Sequence, residues 1–305
     1  MKKFVLIDGN AIVHRAYHAL PNLSTKEGTA TNAVYGFFAM LTKIINDLKP
    51  DYFVVCFDRG KPTFRKSLYV GYQATRPKMD DGLSGQFKLI HEALEKAKVE
   101  IFEIDGYEAD DLIGTLATQA SVDKELETII VTGDRDLLQL VENNVKILAP
   151  IVGITKMILF DSEKVQEKYG LHPHQFIDYK ALVGDNSDNY PGVTGVGPKT
   201  AANLLHKYET FENLYSHLSD LPENLSLKLA TDAEQAALAK KLATIVRDAP
   251  VTLELGKASM RNFNTKDLYE YFNKLGMRSL VGKIKLEEQK EEEEKKKEPD
   301  QLDLL

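Results

Sequence analysis

The stretch GYEADDLIGTLA, Gly106 to Ala117, sets three carboxylates within four residues: Glu108, Asp110 and Asp111. Like charges that close repel, by as much as ~4 kcal/mol per pair at 4 Å and an effective dielectric of 20. One acid is enough to start a helix, since Asp is a favoured N-cap and a first-turn acid complements the helix dipole. More acids recur at the ends of apolar runs: Asp8 after FVLI, Asp58 after YFVVCF, and Asp134 and Asp136 in IIVTGDRD. Asp185 and Asp188 follow in GDNSDNYPGVTGVGPKTAANLL. Capping explains any one of these acids taken singly and explains the set poorly, because repulsion at 108, 110, 111 and 136 calls for a counter-charge. A divalent cation supplies it, and an oxygen-only donor set without Cys or His favours Mg²⁺ or Mn²⁺ over zinc. Two such ions ~3.5–4 Å apart would activate a water and stabilise the leaving oxygen in phosphodiester hydrolysis.

A second chemical signal lies in RGKPTFRKSLYVGYQATRPK. Arg59, Lys61, Arg65, Lys66, Arg76 and Lys78 occur there without a single acid and interleave with Phe64, Tyr69 and Tyr72. Charges for phosphates and rings for bases suit a single strand, against the plainer reading of a solvated surface. Its basic groups and Gly71, Gly82 and Gly85 offer little to pack, so residues 64–85 are expected to be loose without DNA. A third signal is the run Gly192, Gly195, Gly197 before a helix beginning near Lys199. GPKT resembles a phosphate loop, but Pro198 intervenes and no strand precedes it. A helix–hairpin–helix fits better, with backbone amides approaching a DNA phosphate at a helix N-terminus and Lys199 beside them. His172 and His174 read as a helix start.

These groups need a frame. FVLI, YFVVCF, EIFEI and TIIV read as buried strands, and TNAVYGFFAMLTKIINDL and GQFKLIHEALEKAKV repeat apolar residues at helical spacing. Such alternation predicts an α/β fold, a mainly parallel sheet with helices on both faces. NVKILAP and TKMILF predict an edge hairpin or further strands. In an open parallel sheet ligands bind beyond the C-terminal strand ends, where Asp8, Asp58, Asp134 and the 108–111 cluster would converge. After Asp161 the strand signal stops and short helices follow, predicting an all-helical region over 170–283. From Leu286 to Leu305 nine acids face four lysines in a tract with nothing to bury, so the net charge of −7 belongs mostly to the tail. The apolar start is interrupted by Asp8, His14 and Arg15, which argues against a signal peptide. No run is long enough to span a membrane. The single cysteine, Cys56, sits in an apolar run as a buried thiol. Together these predict a reduced cytoplasmic protein.

Five motifs, DGNAIVHRAYHAL, TFRKSLYVGYQATRP, GYEADDLIGTLA, TGDRDLLQLV and ALVGDNSDNYPGVTGVGPKTA, resemble in order and spacing the 5′–3′ exonuclease domain at the front of bacterial DNA polymerase I, within the flap endonuclease family. The resemblance covers about residues 3–283. It implies a PIN-like domain over 1–169 with a helical arch at about 59–85, then a helix–three-turn–helix DNA-binding region over 170–283 and a charged tail over 284–305. It implies metal ligands at Asp8, Asp58, Glu108, Asp110, Asp111, Asp134, Asp136, Asp185 and Asp188 for two Mg²⁺ or Mn²⁺ ions, with a K⁺ ion at the hairpin. Catalytic roles would fall to Asp8, Asp58, Asp111, Asp134, Arg15 and Arg76. DNA contacts would come from Arg15, Arg65, Tyr72, Arg76, Gly195, Gly197, Lys199 and Thr200. Members commonly carry Tyr-Lys where this chain has Tyr72-Gln73, so one phosphate-facing cation is missing.

The implied activity is 5′–3′ exonuclease and flap endonuclease cleavage of DNA with a flap, a nick or a free 5′ end, and of RNA primer–DNA hybrids. A monomer in the cytoplasm is expected, without a membrane partner, and the chain looks like a stand-alone bacterial version or else an excised piece of a polymerase I. The alternatives are an inactive DNA-junction binder, which the full acid set disfavours, and a PIN-like ribonuclease, which the hairpin for duplex DNA disfavours. The final QLDLL, Gln301, Leu302, Asp303, Leu304 and Leu305, resembles the short peptide that docks bacterial replication proteins on the sliding clamp.

Overall fold

A computed structural model describes residues 1–153 and 156–284; the charged tail and QLDLL lie outside the described residues. The first half runs β1 (Lys2–Asp8), α1 (Gly9–Ala19), α2 (Asn32–Leu48), β2 (Tyr52–Cys56), α3 (Phe64–Leu68), α4 (Asp81–Lys96), β3 (Glu100–Phe102), α5 (Ala109–Ala120) and β4 (Leu126–Val131). It closes with β5 (Val145–Val152) and β6 (Lys156–Phe160). The second half runs α6 (Ser162–Tyr169), α7 (Gln175–Val183), β7 (Gly184–Asp185), β8 (Tyr190–Pro191), α8 (Pro198–Tyr208), α9 (Phe211–Ser216), α10 (Glu223–Thr231), α11 (Ala233–Ala243) and α12 (Thr265–Lys274).

Six strands form one sheet in the order β3-β2-β1-β4-β5-β6, parallel except for β6, which pairs antiparallel with β5 as the expected edge hairpin. Side chains alternate across a strand, so FVLI divides cleanly. Phe4 and Leu6 join one core with Val54, Cys56 and Ile130, while Val5 and Ile7 join the other with Phe53, Val55 and Val131. Burial on both faces is why these strands read as unbroken apolar runs rather than as alternating ones.

The first core is shared by α5 and the helical second half, from Leu112 and Leu116 through Leu182, Leu205 and Leu229. The expected region 170–283 therefore has no core of its own. Its last part also changes sides. After α11 the chain runs extended past α5, Phe53 donates its N–H to Ala258 O at the sheet end (2.8 Å), and Phe263, Leu268 and Phe272 pack with α2 and α4 in the second core. An amphipathic helix seeks whichever apolar face is uncovered, and here the sheet offered one.

The extended strap is sewn to α5 at four-residue intervals. Asp111 Oδ1 accepts from Val246 N (2.9 Å), Thr115 Oγ1 from Ala249 N (3.0 Å) and Gln119 Oε1 from Leu253 N (2.7 Å). Residues spaced by four share one helix face, so this face of α5 satisfies strap amides that burial would otherwise orphan. Close approach depends on Gly114: a Cβ there would stand 2.6 Å from Ile245 Cγ2 and 2.8 Å from Val246 O.

Candidate active site

Four segments deliver carboxylates to the C-terminal end of the sheet. Asp8 ends β1 and caps α1, its Oδ1 accepting from Ala11 N (2.9 Å) and its Oδ2 from Thr132 Oγ1 (2.6 Å). Asp58 leaves β2 and accepts from Ala109 N (2.7 Å), so it closes the first turn of α5 from another segment. Asp110 lies in that first turn and accepts no hydrogen bond among the described residues. Asp134 follows β4 and accepts from Asp136 N (2.8 Å). None of these four pairs with a lysine or arginine among the described residues. The electrostatic consequence is visible in the proton affinity of Asp8, Asp58 and Asp110. Burial pushes the Asp8 carboxyl up to about 7, with the charges of Asp58 and Asp134 adding to the effect. Burial first and then Asp134 push Asp110 well above the carboxylate range, and burial also raises Asp58.

The neighbouring group behaves differently. Oxygens of Asp136, Asp185 and Asp188 lie within 4.8 Å of one another, a cluster able to hold a metal ion. Lys180, on α7, already reaches into it, pairing with Asp136 (2.7 Å) and with Asp185, while Arg76 pairs with Asp188. Burial and the Asp134 charge still raise Asp136 to about 7. Against the push of burial, Lys180 and Ser187 hold Asp185 below its ordinary value. Lys180 was not singled out in the sequence; its signal is a lone lysine in an apolar helix five residues before the acid loop, in DYKALVGD.

Three of the expected site residues lie buried in contacts within the protein. Asp111 does not face the crevice: it is fully buried, and Arg65 grips both its oxygens (2.7 and 2.8 Å). Arg65 is correspondingly 3 % exposed. Tyr72 is equally buried, donating from its hydroxyl to Glu108 (3.1 Å) and Asp188 (3.2 Å), with its ring stacked on Tyr190. The basic segment as a whole packs more than its composition suggests. Arg59 and Lys61 meet Glu103 and Asp105, Lys66 meets Tyr72 O, and Leu83 is buried; Lys78 remains exposed. The acids that neutralise it come from other segments, so counting acids inside the segment could not find them.

Glu108 N-caps α5 and accepts from Thr63 Oγ1 (2.8 Å), and burial raises its carboxyl. Arg15, half-buried on α1, donates from Nε to Gly153 O (2.8 Å) at the β5–β6 turn. The glycine hairpin stands apart as an exposed apex carrying Gly195, Gly197 and Lys199, with Thr200 half-buried behind it and Val193 and Val196 anchoring it below. Gly195 has φ +75°, a conformation other residues rarely adopt. A Cβ there would also meet Lys228 Nζ at 2.9 Å, which puts an unforeseen lysine from α10 over the apex. Asp232 accepts from Thr194 N (2.7 Å) on the same loop. His172 and His174 stack on each other ahead of α7, which begins at Gln175.

The charges of Asp58 and Asp134 bear on both Asp8 and Asp110, so separate segments bring these acids near one another, and beside them Asp136, Asp185 and Asp188 close to within 4.8 Å as a hard oxygen donor set of the kind divalent cations take. Residues 3–170 match the family model described as 5′-3′ exonuclease, N-terminal resolvase-like domain, and residues 171–266 match 5′-3′ exonuclease, C-terminal SAM fold. DNA polymerase I of Caldicellulosiruptor bescii is 42% identical over 288 residues, 94% of this chain and 34% of that protein. DNA polymerase I of Bacillus subtilis is 41% identical over 284 residues, 93% of this chain and 32% of that one. The chain thus spans about a third of the length of these relatives. Among solved structures, the T5 5′-exonuclease with divalent metal ions (zinc) bound superposes with a TM-score of 0.65 at 18% identity, covering 93% of this chain and 100% of that one. The catalytic core of Rad2 in complex with DNA substrate superposes at 0.58 and 16% identity, covering 90% and 87%. No helix among the described residues is long and apolar enough to cross a membrane.

Proposed function

The chain belongs to the 5′-3′ exonuclease family, and on that premise we propose that it hydrolyses DNA phosphodiesters at a free 5′ end, a nick or a 5′ flap, including RNA primers paired to DNA, with two Mg²⁺ or Mn²⁺ ions. The observation that carries this reading is the gathering of acids beyond the sheet, where Asp8, Asp58, Asp110 and Asp134 form no ion pair among the described residues and Asp136, Asp185 and Asp188 bring their oxygens within 4.8 Å of one another. The first four would hold one ion, with Glu108 at the rim, and Asp136, Asp185 and Asp188 a second. Bound divalent ions supply a more acidic water and positive charge for the phosphate and the leaving oxygen. The remaining work belongs to protein side chains. Arg76 and Lys180 stand on the second group's carboxylates, so both can turn to phosphate oxygens once those acids have another partner. Arg15, held at the β5–β6 turn through Gly153 O, would reach the phosphate beside the cleaved bond. Gly195, Gly197, Lys199, Thr200 and Lys228 form the apex that would bind duplex phosphates, with K⁺ held by hairpin carbonyls.

Overall the reaction adds a water oxygen to phosphorus and expels the bridging oxygen, which takes the proton. QLDLL at the end of the tail is proposed to dock on a sliding clamp, raising the local concentration of nuclease at loaded DNA. The decisive test is a gel comparing 5′-flap, nicked, blunt and single-stranded substrates. Cleavage of the first three with Mg²⁺ and none in EDTA is expected; equal cleavage in excess EDTA would refute the reading.

A further inference from the structure

Of the three acids that crowd the start of α5, Asp111 alone has its charge fully spent. Its oxygens accept from Arg65 Nη1 (2.7 Å) and Nη2 (2.8 Å), from Val246 N (2.9 Å) and from Glu108 N (3.1 Å). That fills the acceptor capacity of a carboxylate and leaves none for a metal. Arg65 is spent as fully: Nε donates to Leu242 O (2.9 Å), and Nη2 donates also to Thr244 O (2.9 Å). One guanidinium therefore holds three things together, namely its own helix α3 at the foot of the basic segment, the first turn of α5, and the strap after α11. Neighbouring contacts point the same way. Phe64 N donates to Gly106 O (3.3 Å), Thr63 Oγ1 donates to Glu108, and the buried Gln139 bonds Asp136 O (3.0 Å), Ala243 O (2.9 Å) and Ile245 N (3.0 Å). The strap is thus tied both to the acid-bearing turn of α5 and to the acid-bearing turn after β4.

We propose that Arg65 is a positioning residue for cleavage, gripping Asp111 so that the first turn of α5 holds Glu108 and Asp110 against Asp8, Asp58 and Asp134, while fixing the foot of the basic segment to the same strap. The proposal rests on the nuclease reading above. It gives Asp111 a role different from the metal ligand its place in the motif suggests. A planar fork suits the task, since only a guanidinium can hold both oxygens and two carbonyls at once.

The test uses single-turnover cleavage of a saturating 5′-flap substrate, a Mg²⁺ titration, and the Kd for the same DNA in EDTA. Arg65→Lys keeps the charge and loses the fork. Its cleavage rate is expected to fall about 10- to 100-fold, the scale of a small misplacement in a reacting site. The Mg²⁺ needed for half-maximal rate should rise several-fold, with the DNA Kd changed less than about twofold. Asp111→Asn should lose rate to a similar extent, and the double variant should be no worse than either single one, because the pair acts as a unit.

Abolished cleavage in Asp111→Asn beside a near wild-type Arg65→Lys would make Asp111 a direct ligand and overturn the proposal. A loss confined to Kd would make Arg65 a DNA contact and overturn it too. So would loss of the folded circular-dichroism signal at assay temperature in both variants, since the pair would then hold the fold rather than the site. Failure of the wild type itself to cleave would instead strike the nuclease reading.

Discussion

Two groups of carboxylates stand side by side in the crevice and are neutralised in opposite ways. Asp8, Asp58, Asp110 and Asp134 form no ion pair with a lysine or arginine among the described residues, the Arg76 charge reaching Asp58 only from a distance, and the first three bind protons more tightly than ordinary carboxylates. Asp136, Asp185 and Asp188 have Lys180 and Arg76. A carboxylate left unpaired at a partly buried site costs stability, and a chain tolerates that cost where an external cation restores it. The second group teaches a different lesson. There the protein supplies exchangeable cations on flexible stems, so metal and substrate phosphate can divide partners between them.

The largest effect should come from the unpaired group. Asp134→Asn removes the charge that bears on Asp8, Asp110 and Asp136 together. Cleavage of a flap substrate should drop about 10³-fold or more, equivalent to ~4 kcal/mol of lost charge stabilisation, in a rapid-quench assay. Substrate binding in EDTA should stay within a few-fold of wild type, and the metal-free melting temperature should rise. A variant that still cleaves at a tenth of the normal rate breaks the comparison.

A pH series on metal-free protein sharpens it. Asp8 and Asp136 titrate near 7 in the folded chain and near 3.8 when unfolded. Between those values the folded state binds more protons, so stability falls as pH rises. Melting in EDTA should be highest toward pH 4, decline up to about pH 7 and level off above it, by a few kcal/mol at most because the groups share their protons. Asp110→Asn should flatten the slope, and Mg²⁺ should restore stability at pH 8. Differential scanning calorimetry reads all three; a flat profile in EDTA rules the account out.

Lys180→Met attacks the paired group. It strands Asp136 and Asp185, so the metal-free protein should lose roughly 1–3 kcal/mol, below the ~3–5 typical of a fully buried pair. The discount reflects a lysine side chain that is 20% exposed. Added Mg²⁺ should recover more stability in this variant than in wild type, because its competitor for those oxygens is gone. Equal recovery in both proteins would show that Lys180 and metal never compete.

The unpaired group was legible because its members follow apolar runs, and a parallel sheet must gather strand ends. Asp8, Asp58 and Asp134 could be placed from that rule alone. The paired group was only half legible. Its acids lie in a recognisable loop, yet Lys180 and Arg76 are partners made by folding, and Arg76 is 112 residues from Asp188. Asp111 shows the same limit more sharply. Its neighbours Glu108 and Asp110 are indistinguishable from it in composition, and only the turn of α5 decides which oxygen meets Arg65. Helix α12 lay inside the helical region expected over 170–283 without being singled out, and amphipathic spacing would not have said which apolar face it covers.

The smallest effect concerns Gln73, where the family commonly carries lysine. Its backbone is left-handed (φ 53°) and its N–H bonds Asp188 O at 2.8 Å, so it sits on the edge of the paired group. Gln73→Lys replaces one unbranched side chain by another at the same φ, so the backbone cost is unchanged and melting should move little. It adds a half-exposed cation to a region that already holds Lys180 and Arg76. If that region is as fully compensated as its ion pairs indicate, the new charge acts mainly on incoming DNA. Single-turnover cleavage should then rise only about two- to fivefold at low salt, and the gain should fade toward 0.5 M salt as screening removes it. A gain of a hundredfold that survives high salt would mean that the second group lacks a cation after all.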